Sequence, residues 1–137
     1  NLESAVFAQA ILEMRLLVQA LGERPDTVSG LAGVGDLDVT TNGGRTGRFG
    51  KLLGKGLRRD EAIARMEGAT LECLEILEVM RELVVGFEDR GALRSRELPL
   101  LMHMIAVALD GAEVALPLER FFGESAELPD EERGTWS

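Results

Sequence analysis

Apolar side chains recur at helical spacing along almost the whole chain, and the first such stretch is the longest. Leu2, Ala5, Val6, Ala8, Ile11, Leu12, Leu16, Leu17, Ala20 and Leu21 fall three or four residues apart, which places them on a shared side of an α-helix. They cover more than half the circumference and leave Glu3, Gln9, Glu13 and Gln19 to supply the polar remainder. Leu2–Leu21 therefore reads as a central helix, roughly 30 Å long and wrapped by others. Gly22 and Pro25 end it, and a helical turn over Asp26–Ser29 follows, with Asp26 able to cap it.

The same periodicity returns further on. Arg45–Leu53 is predicted as a helix entered from a turn at Asn42–Gly44, in which the pair Asn42–Gly43 tolerates positive φ. Arg58–Met66 is a short helix. Thr70–Val85 shows Leu71, Leu74, Ile76, Leu77, Met80, Leu83 and Val84 as its apolar side. Pro99 suits the first turn of a helix over Leu100–Leu109, where a missing N–H removes no hydrogen bond. The last predicted helix is Val114–Phe122. No stretch alternates convincingly with period two, Leu37–Thr41 being the nearest to it, so the predicted fold class is all-α. Residues 1–122 form one helical domain, and 123–137, with five acids between Glu124 and Glu132, form a flexible acidic tail.

Composition narrows the options. At 137 residues and 45% apolar content the chain can bury a real core. One cysteine, Cys73, excludes an internal disulfide and suits a reducing, cytoplasmic compartment; within a Leu-rich helix it reads as a buried small hydrophobe. There is no uncharged apolar run long enough to insert into a membrane. A net charge of −9 with 4% aromatics argues against nucleic acid as a partner. Met66, Met80, Met102 and Met104 are expected to fill a helical interior, and His103, without nearby Cys, His or Asp at ligand spacing, reads as a core or interface residue; no metal site is suggested. The chain opens on Asn1 and enters a helix at once, which reads as the cut end of a longer protein.

Against this background one segment stands apart. Nine of the 16 glycines lie between Gly30 and Gly56, and Gly30–Arg59 carries six basic residues (Arg45, Arg48, Lys51, Lys55, Arg58, Arg59) against two acids, Asp36 and Asp38. Glycine is costly to order, so such density marks close backbone approach more than packing. Gly33 and Gly35 flank Val34 just ahead of Asp36, a carboxylate able to accept from a hydroxyl or ammonium group; Thr40 adds a hydroxyl one helical turn later. Arg45 follows Gly43–Gly44 at a predicted helix start, joining a guanidinium fork to free backbone N–H groups, an arrangement that binds phosphate. The ligand expected is phosphorylated at one end and hydroxylated at the other. Taken singly, Asp36 reads better as a helix cap and Arg45 as a solvated cation; their joint appearance within ten residues of clustered glycines favours the ligand site. The segment is neither a P-loop nor a dinucleotide fingerprint, since GRFGKLLGKG lacks GK followed by Ser or Thr and GLAGVG follows no predicted strand.

GLAGVGDLDVTT, then GGR and GRFGKLLGKG, resembles the C-terminal substrate domain of NAD(P)-dependent glycerol-3-phosphate dehydrogenase. The likeness extends upstream through LLVQALGERPDTVSG and downstream through MEGATLECLEILEVM and ELPLLMHMIAVALDG, covering about Asn1–Phe122. It implies a multi-helical fold of the 6-phosphogluconate dehydrogenase C-terminal-like type. It further implies Asp36 as the active-site aspartate beside a catalytic lysine, Thr40 as the threonine next to it, and Arg45 as the grip on substrate phosphate. Arg48 matches the second basic residue of that run, and Glu67 the position near the nicotinamide and the cofactor phosphates. Where the family usually has Asn after the arginine, Thr46 stands here, a hydroxyl with fewer hydrogen bonds to offer phosphate.

The resemblance thus implies interconversion of sn-glycerol 3-phosphate and dihydroxyacetone phosphate with NAD or NADP, a cofactor held by an N-terminal Rossmann domain that this chain lacks. No cofactor is expected to bind this segment tightly, Lys51 and Lys55 read as surface residues rather than the acid/base, and the isolated chain is expected to be inactive. The implied partners are that Rossmann domain and a small phosphorylated polyol, and a homodimer is compatible. Two alternatives stand beside this: a paralogue acting on another phosphorylated alcohol, and a non-catalytic helical interaction domain, to which Thr46 and the extra acid Asp38 lend weight.

Overall fold

A computed structural model describes residues 1–35 and 43–123. Among the described residues every regular element is helical: α1 (Leu2–Ala20), α2 (Arg45–Gly54), α3 (Arg59–Arg65), α4 (Glu72–Asp89) and α5 (Pro99–Ala108), joined by 3-10 turns at Pro25–Ser29, Ser95–Glu97 and Leu118–Arg120 and a wider turn at Leu31–Gly35. The all-α expectation therefore holds for them. None of their helices is long and apolar enough to cross a membrane.

Local chemistry sets the ends. The Asn1 side chain accepts from Ser4 N–H at 3.0 Å and starts α1. α4 runs four residues beyond its predicted end at Val85 because Gly86 is tolerated inside it. It stops at Gly91, whose φ of 68° lets Ala92 N–H reach Phe87 C=O at 2.9 Å and Gly91 N–H reach Glu88 C=O at 3.0 Å. Pro99 occupies the first turn of α5 as expected.

The core gathers Phe49 and Leu53 from α2, Ala62 from α3 with Met66 at its end, Leu77, Val84 and Phe87 from α4, and Leu101, Ile105, Val107 and Ala108 from α5, closed by Leu93 and Leu98. α5 lies between α1 and α4, and α2 packs on α3. Arg59 on α3 donates from Nε to Ala108 C=O at 2.8 Å, placing a cation on the last turn of α5, where the free carbonyls and the helix dipole favour positive charge.

Several expectations are corrected. Val114–Phe122 is not a helix: the chain leaves α5 through Gly111 at φ 74°, Ala112 N–H closes on Ala106 C=O at 2.9 Å, and Pro117, with no N–H to give, admits only the 3-10 turn at Leu118–Arg120. Asp26 does not cap its turn, which has Arg24 at the cap position without a side-chain bond. Asp26 instead lies 3.7 Å from Arg15, whose guanidinium also donates to Ser29 Oγ at 3.0 Å, clamping the turn onto α1. Met104 is exposed, while Met66 is buried. Cys73 is only half-buried, at the edge of the core.

The largest correction concerns α1. Its buried side chains are Gln9 and Glu13, assigned by periodicity to the polar side, whereas its apolar residues are half-buried or exposed. Glu13 accepts from Leu100 N–H at 2.7 Å and Leu101 N–H at 2.8 Å, and Gln9 donates to Glu13 Oε1 at 2.8 Å while accepting from Phe122 N–H at 2.8 Å. The pair is buried because α5 needs an acceptor at its N-terminus.

Candidate functional site

The glycine-rich segment runs through α2 and past its end at Gly54. Gly44 is the residue before the helix and adopts φ 94°, a conformation that side chains other than glycine rarely take. Gly43, Gly44 and Gly47, with Arg48 and Lys51, line a cavity of about 220 Å³. An added Cβ at any of these three glycines would meet nothing within 4 Å, so the backbone there is open to an incoming group.

Basic side chains surround this opening at regular steps. Arg45, Arg48 and Lys51 stand three residues apart on α2, a spacing that stacks them along one side of the helix. All three are exposed. The first turn of α2 offers backbone N–H groups with no partner inside the helix, and the helix dipole adds to the positive field there. Arg45 lies 3.8 Å from Glu72 at the start of α4, with both side chains more than half exposed. Arg48 donates to Arg65 C=O at 3.3 Å at the end of α3. The two arginines thus bind α2 to both ends of the 65–72 link.

Glu67 sits in that link. It is exposed and has φ 52°, a left-handed conformation uncommon for a residue with a side chain, and Gly68 follows at φ 76°. The reversal lifts Glu67 off the end of α3 and starts the approach to α4. Thr46, the second residue of α2, is exposed. The structure therefore brings Arg45, Thr46 and Arg48 together on one helix, with Glu67 in the loop that Arg48 and Arg45 bracket. Asp36 and Thr40 lie outside the described residues. Gly33 does permit close approach, but of the chain to itself: an added Cβ would overlap the Val28 carbonyl oxygen and lie 2.6 Å from its carbon.

Lys51 is exposed on its helix as expected, and its position three beyond Arg48 is a legible signal that it also shares that side. Glu72 had no such signal, since its neighbour Arg45 is brought to it only by the packing of α2 and α4. Among the described residues no group of three or more His, Cys, Asp or Glu is arranged to hold a metal ion.

Comparison with known proteins bears on what such a site serves. The family model described as NAD-dependent glycerol-3-phosphate dehydrogenase C-terminus matches residues 1–118. The chain is 46% identical over 67 residues to the NADP(+)-dependent glycerol-3-phosphate dehydrogenase of Archaeoglobus fulgidus, covering 49% of this chain and 20% of that protein. It is 33% identical over 121 residues to the glycerol-3-phosphate dehydrogenase [NAD(P)+] of Azotobacter vinelandii, covering 87% and 33%, and 40% identical over 84 residues to that of Pseudomonas aeruginosa, covering 60% and 24%. The aligned part is thus between a fifth and a third of each of these relatives. No solved structure matches the chain.

Proposed function

We propose, from the premise that this chain belongs to the NAD-dependent glycerol-3-phosphate dehydrogenase C-terminal family, that it forms the substrate-binding domain of an oxidoreductase interconverting sn-glycerol 3-phosphate and dihydroxyacetone phosphate. The observation that carries the reading is the basic row Arg45, Arg48 and Lys51 beside a glycine-lined cavity at the start of α2. A phosphate placed there meets backbone N–H donors, a guanidinium fork and no Cβ to obstruct it.

In this reading Arg45 and Arg48 hold the substrate phosphate, with Thr46 adding a hydroxyl donor. Asp36 orients and keeps protonated a lysine contributed by the nucleotide-binding domain, because an adjacent carboxylate favours the charged amine, and Thr40 stands beside that pair. The nicotinamide supplies the hydride acceptor or donor when bound. Glu67 is the one described residue assigned to the cofactor. As an exposed carboxylate it suits hydroxyl and amide groups and is repelled by diphosphate, so it belongs at the nicotinamide end.

The rest of the reading concerns the whole protein. Residues 1–122 form a domain of the 6-phosphogluconate dehydrogenase C-terminal-like type, 123–137 an acidic appendage, and the partner is an N-terminal Rossmann domain that holds NAD or NADP. The protein works in the cytoplasm, and a homodimer is compatible. Thr46, in place of the family's usual Asn, supports a second reading in which the substrate is a different small phosphorylated alcohol.

The test is Arg45→Ala in the complete enzyme. Loss of a charge-assisted contact of about 1.5–3 kcal/mol corresponds to a KM for the phosphorylated substrate raised roughly tenfold to a hundredfold. Unchanged KM would reject the phosphate role.

A further inference from the structure

A second cavity, of about 770 Å³, lies against α5 on surfaces that the proposed phosphate site does not use. One wall is a side of α5 formed by Pro99, Met102, His103 and Ala106, spaced at three, four and seven residues so that they stack along the helix. The other wall is the irregular segment that follows α5, including Leu116 and Pro117. The two are tied by Ala115 N–H, which donates to His103 Nε2 at 3.2 Å.

The polar residues here are arranged unevenly. Arg96, in the 3-10 turn before α5, and Arg120, in the turn after it, both line the cavity although 24 positions apart in sequence. Ser95 adds a hydroxyl next to Arg96. The single acid of the lining is Glu119, which lies 3.8 Å from Arg120 with both side chains over 70% exposed. An exposed pair at that distance is worth little, and a ligand carboxylate meeting a guanidinium fork in bidentate geometry is a better partner than Glu119. In a chain of net charge −9, two arginines lining one cavity favour an anion by charge.

We infer that this cavity binds a small organic anion consisting of one carboxylate and an apolar chain. The carboxylate lies on Arg96 and Arg120, and the apolar part runs along Met102, Ala106 and Leu116. The volume is in the range of small-molecule sites, about 300–1,000 Å³. No step of the dehydrogenase reading uses these residues.

The experiment titrates the 137-residue chain with three probes and follows binding by calorimetry and by the amide shift of Ala115. Decanoate carries both parts, decanol only the apolar part, and inorganic phosphate only a charge. Expected is saturable one-to-one binding of decanoate, with decanol at least about tenfold weaker, as loss of a charge-assisted contact implies. Phosphate, which lacks the apolar part, should bind this cavity more weakly than decanoate, and equal or tighter phosphate binding overturns the inference. The exposed substitution Arg120→Gln and the double substitution Arg96→Gln/Arg120→Gln should weaken decanoate progressively while the far-ultraviolet circular dichroism stays unchanged. If the double variant lost its fold, Arg120→Gln alone would decide. Equal binding of decanol, undiminished decanoate binding by the arginine variants, or no shift at Ala115 overturns the inference.

Discussion

Glu13 stands on the N-terminus of α5, its Oε1 accepting from Leu100 N–H at 2.7 Å across 87 residues of sequence. The second oxygen takes Leu101 N–H at 2.8 Å, and Gln9 occupies Oε1 from within α1. The first amides of a helix have no partner inside it, and water is excluded here, so one buried carboxylate satisfies two donors that would otherwise go unpaired. Its burial raises its pKa above the usual 4.5, against the opposing pull of the hydrogen bonds from Gln9, Leu101 and Leu100.

The sign of the resulting pH dependence follows. With the folded value raised, the folded chain binds more protons than the unfolded chain between 4.5 and that value. The proton-linked part of the Glu13 contribution is fully present below 4.5 and is lost as pH rises through the folded value, while its hydrogen bonds to the Leu100 and Leu101 amides persist. Glu13→Gln removes the titration, so denaturant midpoints measured across this window should show a shallower fall than in the parent chain; an identical slope would assign the effect elsewhere. Glu13→Ala leaves the Leu100 and Leu101 amides unpaired and should cost about 3 kcal/mol at pH 7 by the same measurement.

If phosphate binds at Arg45 as proposed, Glu72 competes with it. At 3.8 Å and more than half exposed, the pair holds the guanidinium only loosely. Glu72→Ala frees it and removes a negative charge from the edge of the site, and should tighten phosphate binding about twofold to fivefold, the equivalent of an exposed ion pair. A phosphate titration of the chain at low ionic strength followed by nuclear magnetic resonance measures this, and weakened binding would instead make Glu72 a support for Arg45.

Two glycines of the same rich segment should behave oppositely. Gly33→Ala forces a Cβ into the Val28 carbonyl, which is backbone and has no room to yield, so a loss of several kcal/mol or failure to fold is expected. Gly43→Ala meets nothing within 4 Å, and its thermal midpoint should stay near that of the parent. If a ligand does approach the backbone at Gly43, the same variant should bind phosphate more weakly. Paired melting and phosphate-titration data separate the structural glycine from the binding one.

Arg59→Ala tests the clamp between α3 and α5. It removes the 2.8 Å bond to Ala108 C=O and the cation from the last turn of α5. With Arg59 about a third exposed, a loss of about 1 kcal/mol is expected in chemical denaturation. Arg59→Lys should recover only part of it, since the ammonium lacks the planar fork.

Helical periodicity, the proline at the head of α5 and the glycines at helix ends are properties of neighbouring residues, and they made the all-α class and five helices readable in the chain. The basic row on α2 was readable for the same reason, because Arg45 and Arg48 are three residues apart on one helix. Pro117 is legible too, and its missing N–H is the local reason that Val114–Phe122 is not a helix. What no local pattern contains is a requirement set by a distant element. Gln9 and Glu13 look like the solvent side of α1 until α5 presents its unpaired amides, and Glu72 is one acid among several until α4 places it beside Arg45. Hydrogen-bond satisfaction and charge pairing are settled between elements, so the sequence by itself determined which segments are helices, and only the tertiary structure decided which of their polar residues are buried and which remain available to a ligand.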